Sequence, residues 1–99
     1  MRPLIVFFSW SVVSASAAEA PLRALLVCGG CCHDYEKQSV ILRDGIQARA
    51  NVQVDVVINP DKGTRPYFPM YEKKDWAKGY DVVIHDECSA DIKDMTYVG

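Results

Sequence analysis

Residues 22–50 read LRALLVCGGCCHDYEKQSVILRDGIQARA and carry the strongest fold signals of the chain. The apolar run from Leu22 to Val27, closed by two glycines, predicts a short buried strand and a turn. Asp34 stands at the expected N-cap of a helix that the following pattern places from Tyr35 to Ala50. The polar residues between strand and helix are therefore expected at the carboxyl end of a strand, where open α/β sheets bind ligands.

The predicted helix has one apolar face. Ile41, Leu42 and Ile46 recur at helical spacing and are expected to pack against the sheet. Gly45 lies on the same face, where its missing side chain is expected to let the helix lie close to the sheet. This pattern predicts a helix that covers one side of the sheet.

Two more strands are predicted downstream. The valines between residues 52 and 56 alternate with polar residues and lead into Val57 and Ile58, which indicates a strand near one edge of the sheet. Residues 80–85 predict a third strand. Ser89 or Asp91 is expected to cap another helix.

The segment between these two strands is rich in aromatic residues. It forms a loop over residues 65–74 and a helical turn over residues 75–79 that ends at a glycine. Trp76 is expected to cover the sheet. For Tyr67 and Tyr71, covering the sheet and stacking on a sugar ring both remain open.

The order strand, helix, strand, loop and strand predicts an α/β fold with a three-layer, flavodoxin-like, doubly wound parallel sheet. The expected strand order is 2-1-3. The third strand would then have an open apolar edge, which is an aggregation hazard. We therefore expect residues 21–99 to be the N-terminal part of a longer domain whose later strands are missing here.

Residues 1–18 have the pattern of a secretory signal peptide. Arg2 precedes an apolar stretch that begins at Leu4, and small residues follow up to Ala18. The apolar stretch is too short to span a bilayer. We expect cleavage after Ala18 and an exported chain, periplasmic or extracellular, that begins at Glu19. A buried N-terminal strand or a retained anchor is the alternative.

The charge balance argues against nucleic acid as a partner. After Ala18 the chain carries 13 acidic residues against 10 basic ones, the 11 of the whole chain less Arg2. The basic residues form no stripe that would follow a phosphate backbone. No second apolar stretch follows, so no membrane span is expected in the mature chain.

Two polar clusters close two of the predicted strands. His33 and Asp34 follow the first strand, and His85, Asp86 and Glu87 follow the third. If these strands are neighbours, both clusters line one crevice. Imidazole and carboxylate groups suit general acid–base catalysis or a metal with nitrogen and oxygen ligands. The alternatives are that Asp34 only caps the helix and that the histidines are structural.

The four cysteines leave several interpretations open. In an exported chain they allow three full disulfide pairings. The spacing of Cys28 and Cys31 matches a redox motif, and Cys28 with Cys32 and His33 approaches a haem-attachment pattern. The leading interpretation makes Cys28 a buried core residue and Cys31 and Cys32 loop thiols. A zinc site is a further alternative. Its ligands would be Cys31, Cys32 and His33, with His85 or Cys88.

Taken together, these motifs resemble the ThuA-like (trehalose utilisation) family. Gly29 and Gly30, followed by His33-Asp34-Tyr35 and Gln38-Ser39, are similar to the start of that family. Residues 75–88, DWAKGYDVVIHDEC, are similar to its exported members. The resemblance covers residues 22–98 and implies a flavodoxin-like fold related to class I glutamine amidotransferases.

Two departures from the family pattern stand out. Cys31 and Cys32 lengthen the join between Gly30 and His33. The chain also lacks everything after the third strand, where the related amidotransferases carry their nucleophilic cysteine on a strand-to-helix elbow, so no such nucleophile is assigned here.

The resemblance implies an exported domain that binds or acts on a small carbohydrate such as trehalose, a keto-sugar or a glycoside. When complete, it would be a sugar-directed hydrolase or lyase, and these 99 residues alone are expected to be inactive. The expected catalytic residues are His33, His85 and Asp86, and the expected substrate-binding residues are Gly29, Gly30, Asp34, Tyr35 and Glu87. A divalent metal is an open alternative, and no other cofactor is expected. A noncatalytic binding module is the second interpretation, and a cysteine-based redox or zinc protein is the third.

Overall fold

The computed structural model describes residues 2–10 and 19–93. Its regular elements are β1 (Leu22–Gly30), α1 (Tyr35–Arg49), β2 (Val52–Asn59), a 3-10 helix (Pro69–Glu72) and β3 (Val82–Cys88). The three strands form one parallel sheet in the order β2-β1-β3. The predicted α/β class, the parallel pairing and the strand order are confirmed.

The strand register brings the carboxyl ends of β1 and β3 side by side. Gly30 of β1 pairs with Cys88 of β3, and Gly29 of β1 pairs with Asn59 of β2. β1 is therefore the central strand of the described sheet, and the prediction that the ends of the first and third strands are neighbours is confirmed.

Each face of β1 is covered by a different layer. Leu26 and Cys28 are fully buried in the cluster on the α1 side. Leu25 and Val27 point the other way and pack with Phe68 from the segment between β2 and β3. The continuous apolar run of β1 follows from this burial on both faces, which is typical of parallel strands.

The start of α1 is fixed by Asp34. Its Oδ1 accepts a hydrogen bond from the backbone N–H of Lys37 at 3.2 Å, and its Oδ2 lies 3.6 Å from Lys37 Nζ. This confirms the predicted N-cap, which satisfies a backbone donor that the first turn leaves without a partner. The helix ends at Arg49, one residue before the predicted end.

The packing face of α1 differs from the prediction. Leu42 and Ile46 pack against the core as expected, but Ile41 is 69% exposed. The buried positions of the first two turns are Tyr35 and Ser39, so the inner face is rotated by about one residue. The expected role of Gly45 is also wrong, because a Cβ there would meet only the Arg49 guanidinium, at 3.5 Å.

The aromatic segment covers the second face of the sheet. Phe68 is buried, and Trp76 and Tyr71 pack against the cluster around it, which confirms the expected role of Trp76. Residues 75–79 form hydrogen-bonded turns, and Gly79 has a φ of +87°. β3 begins at Val82 and continues to Cys88, three residues beyond its predicted end.

The remaining expectations concern the two ends of the chain. Residues 2–10 have no regular secondary structure, and residues 11–18, with the expected cleavage signal, lie outside the described residues. Ser89 accepts a turn hydrogen bond from Ile92, and no helix begins before residue 93; residues 94–99 lie outside the described range. Within the described ranges, no helix has the length and apolar character needed to cross a membrane.

Candidate functional site

The polar residues of β3 lie on two different faces of the sheet. Because side chains alternate along a strand, His85 and Glu87 point to the face covered by the aromatic segment, and Asp86 points to the face covered by α1. Asp86 is in register with buried Cys28 of β1. The structure therefore divides the polar cluster that the sequence places at one site.

His85 and Glu87 form what we call the imidazole cluster, together with Tyr71 and Trp76. Glu87 Oε1 accepts a hydrogen bond from the Tyr71 hydroxyl at 2.6 Å and lies 2.8 Å from His85 Nδ1. The Trp76 ring meets Tyr71 edge-on at 4.8 Å between centroids and lies 6.0 Å from the His85 ring. Glu87 Oε1 thus positions both the Tyr71 hydroxyl and the His85 imidazole next to the Trp76 ring.

Burial distinguishes the roles available to the two ionisable groups. The side chain of Glu87 is 15% exposed, whereas that of His85 is 54% exposed. Glu87 Oε2 is buried and has no hydrogen-bond partner among the described residues. Since Nδ1 faces a carboxylate oxygen, the proton of neutral His85 belongs on Nδ1, which leaves Nε2 as an acceptor. An accessible imidazole oriented by a shielded carboxylate suits proton transfer.

The three sulfur atoms of Cys31, Cys32 and Cys88 form a second group, which we call the sulfur cluster. Cys31 and Cys32 form a disulfide between adjacent residues, so the expectation that they are free loop thiols is wrong. Cys88 is a free thiol whose Sγ lies 3.7 Å from Cys31 Sγ. The Tyr35 hydroxyl donates to the carbonyl of Cys31 at 3.3 Å and so fixes the backbone of the cluster.

Cys28 is a buried free thiol, as predicted for a core residue. Its Sγ lies 4.0 Å from Asp86 Oδ2. Burial, followed by the negative charges of Asp86 and Glu87, raises the pKa of Cys28 from its ordinary 9.0 to about 11. Burial, followed by the negative charges of Cys88, Asp86, Cys28 and Glu87, also raises the pKa of Tyr35. The α1 side of the carboxyl edge therefore disfavours any further negative charge.

His33 lines an open cleft between the ends of β1 and β2. The cleft has a volume of about 340 Å³, at the lower end of the range for small-molecule pockets. Its lining includes Gly30, Asp34 and Tyr35 as well as Asn59 and Lys62. The ring of His33 is exposed and meets Tyr35 edge-on at 5.8 Å between centroids. We call this feature the His33 cleft.

Gly29 and Gly30 allow the three strand ends to approach one another. A Cβ on Gly30, which has a φ of +99°, would collide with the carbonyl of Cys88. A Cβ on Gly29, with a φ of +145°, would lie 2.8 Å from Asn59 Cβ. The glycines are therefore required by the backbone, and Gly30 in addition lines the His33 cleft.

The predicted site residues thus fall into three neighbourhoods along one edge. His33, Asp34 and Tyr35 belong to the His33 cleft, His85 and Glu87 to the imidazole cluster, and Asp86 to the α1 side. The sulfur cluster lies at the junction of β1 and β3. Sequence reasoning missed Tyr71 as the partner of Glu87, because the two lie 16 positions apart and irregular chain connects the 3-10 helix to β3. It also missed that Asp86 points to the opposite face of the sheet from His85 and Glu87. A predicted strand that continued to residue 88 would have indicated this, because side chains alternate along a strand.

Comparison of the chain with protein families, curated proteins and solved structures finds no match.

Proposed function

We propose that the chain is an exported ThuA-like domain that binds, and when complete acts on, a small carbohydrate at the carboxyl edge of its sheet. The resemblance of its motifs to that family supports the substrate class. The imidazole cluster supports the chemistry, and the observation that carries the proposal is the 2.8 Å separation of His85 Nδ1 and Glu87 Oε1. This pair holds an accessible imidazole in one orientation and one tautomer.

In this proposal neutral His85 takes a proton from a hydroxyl of the sugar, and the imidazolium that forms returns it to a hydroxyl or a glycosidic oxygen. Its Nε2 acts as the acceptor, while Glu87 stabilises the imidazolium that forms. Tyr71 holds Glu87 in place through its 2.6 Å hydrogen bond. Trp76 supplies an apolar wall against which the carbon face of a sugar ring packs.

The His33 cleft contributes the remaining contacts of the proposed site. Its volume of about 340 Å³ fits a small carbohydrate, and its polar lining offers hydrogen bonds to hydroxyl groups. His33 is exposed there, whereas Asp34 keeps its capping hydrogen bond and offers Oδ2 beside Lys37. Because Asp86 faces Cys28 on the α1 side of the sheet, we assign proton transfer to the two histidines and not to Asp86.

Isothermal titration of the full chain with trehalose and with a keto-glycoside tests the proposal. His85→Ala should weaken binding by up to roughly 10-fold, since one hydrogen bond contributes about 0.5–1.5 kcal/mol. Glu87→Gln should weaken binding as well, because it removes the carboxylate that orients the imidazole. Asp44→Asn is the control, because Asp44 is exposed on α1 and pairs with neighbouring Arg43, away from the carboxyl edge of the sheet. Equal affinities for all variants, or no binding by the wild-type chain, would refute the proposal.

A further inference from the structure

The sulfur cluster lies at the topological switch point of the sheet, between the carboxyl ends of β1 and β3. α1 follows β1 on one face, and the segment leading to β3 covers the other face. The ends of β1 and β3 are paired there through Gly30 and Cys88. In doubly wound sheets such a point is the usual place for a ligand.

Two of the three sulfurs have the spacing of ligands in a thiolate metal site, and the third, Cys32 Sγ, is bonded to Cys31 Sγ and moves away from it once the disulfide is reduced. All three sulfurs lie within 4.8 Å of one another, and the Sγ atoms of Cys31 and Cys88 are 3.7 Å apart. In a tetrahedral zinc site with Zn–S distances of about 2.3 Å, two sulfurs are separated by about 3.8 Å. Cys31 and Cys88 therefore already have the spacing of two ligands of one ion.

The surroundings of the cluster favour a cation. Asp86 and Glu87 precede Cys88 directly in β3, and their charges contribute to the raised pKa of Cys28 nearby. Three thiolates added to this edge without a counterion would increase the repulsion. Cys31 and Cys88 are half-buried and Cys32 is exposed, so an ion has a path from solvent to the sulfurs.

We propose that the chain, once its Cys31–Cys32 disulfide is reduced, binds one zinc-like thiophilic divalent cation through Cys31, Cys32 and Cys88. A dithiol or phosphine reductant supplies the two electrons that break the S–S bond, and it is oxidised in turn. The thiol protons pass to solvent as the ion binds. The three sulfurs leave a fourth coordination position for water or for another ligand. The disulfide form has only one free thiol in the cluster, so oxidation closes the site.

Cobalt titration tests this proposal with a spectroscopic readout. The full chain is reduced with a phosphine, which leaves no competing thiol, and is then titrated with Co²⁺. We expect a sulfur-to-cobalt charge-transfer band that saturates at one ion per chain and disappears when Zn²⁺ is added. The same chain with its disulfide intact should give no band. A reduced chain without the band, or an oxidised chain with it, would overturn the proposal.

Two cysteine variants locate the site. Cys88→Ser should weaken Co²⁺ binding at least roughly 10-fold, because loss of even an outer hydrogen-bond partner costs about 10–100-fold. Cys28→Ala is the matched control, since Cys28 is also a free cysteine but lies outside the cluster. It should bind Co²⁺ like the wild type. Unchanged binding by Cys88→Ser would overturn the assignment.

A measurement on the wild-type chain keeps the proposal testable if a variant does not fold. Zn²⁺ should slow the alkylation of Cys31, Cys32 and Cys88 together in the reduced chain, as followed by peptide mass spectrometry. Alkylation of these three residues at the same rates with and without Zn²⁺ would refute the proposed ligands.

Discussion

At the residue scale, we expect His33 to contribute to carbohydrate binding and the disulfide-bonded cysteines Cys31 and Cys32 not to. His33 is exposed in the His33 cleft, which Cys32 also lines, whereas Cys31 belongs only to the sulfur cluster. His33→Ala should weaken carbohydrate binding roughly 10-fold, as expected for the loss of one good hydrogen bond. The double variant Cys31→Ser, Cys32→Ser should bind nearly as well as the wild type.

Titration calorimetry of the two variants side by side gives the comparison. If the double serine variant loses binding while His33→Ala keeps it, the cysteines rather than His33 are the functional groups of this edge.

The buried thiol of Cys28 should make stability depend on pH at the alkaline end. Its native pKa is raised to about 11 from 9.0, so the native state favours the protonated thiol. The resulting stabilisation is complete below about pH 9 and is lost as the pH rises towards 11. The free energy of unfolding should fall by roughly 2–3 kcal/mol more in the wild type than in Cys28→Ala over that interval. Urea denaturation at a series of pH values measures this difference, and parallel curves would contradict it.

At the element scale, the two glycines Gly30 and Gly45 differ in their effect on stability. The backbone at the end of β1 requires a glycine at position 30, whereas α1 does not require one at position 45. Gly30→Ala places a Cβ against the carbonyl of Cys88 at a φ of +99°, so it should destabilise the chain by at least about 1–3 kcal/mol. Gly45→Ala is the matched control within α1, where the new Cβ meets only Arg49. It should stabilise the helix by about 0.5–1 kcal/mol. Chemical denaturation that gives both substitutions the same sign would contradict the described backbone.

The elements also show which parts of the fold the sequence encodes locally. β1 and the start of α1 could be predicted because an apolar run, two glycines and a capping aspartate are adjacent in the chain. The last three residues of β3 could not, because Asp86 and Glu87 are polar and become strand only through pairing with β1, where Asp86 lies opposite Cys28. The Tyr71–Glu87 hydrogen bond depends on the path of an irregular segment, for which periodicity gives no signal.

At the scale of the whole molecule, the outer edge of β3 is expected to promote association. In the described part of the chain β3 pairs only with β1, and Val82 is 44% exposed. An apolar edge strand with free backbone groups pairs readily with another chain. The full chain should therefore dimerise or aggregate in sedimentation velocity experiments, and Val82→Lys should shift it towards monomer.

Val40→Lys provides the matched control, because Val40 lies on α1 with 45% exposure. It should leave the association unchanged. A wild-type chain that stays monomeric and unfolds cooperatively at about 45–65 °C, as ordinary small domains do, would contradict this account of the edge.

The central claim is that the carboxyl edge uses two imidazoles, His85 oriented by Glu87 and His33 in the His33 cleft, to bind a small carbohydrate. His33 and His85 are the only histidines of the chain, so nitrogen-15 NMR of the imidazole rings reports on both without overlap. We predict that neutral His85 carries its proton on Nδ1, that Glu87→Gln disturbs this state, and that trehalose or a keto-glycoside shifts the resonances of both rings. Ring resonances that stay unchanged at saturating concentrations of both sugars would contradict the claim.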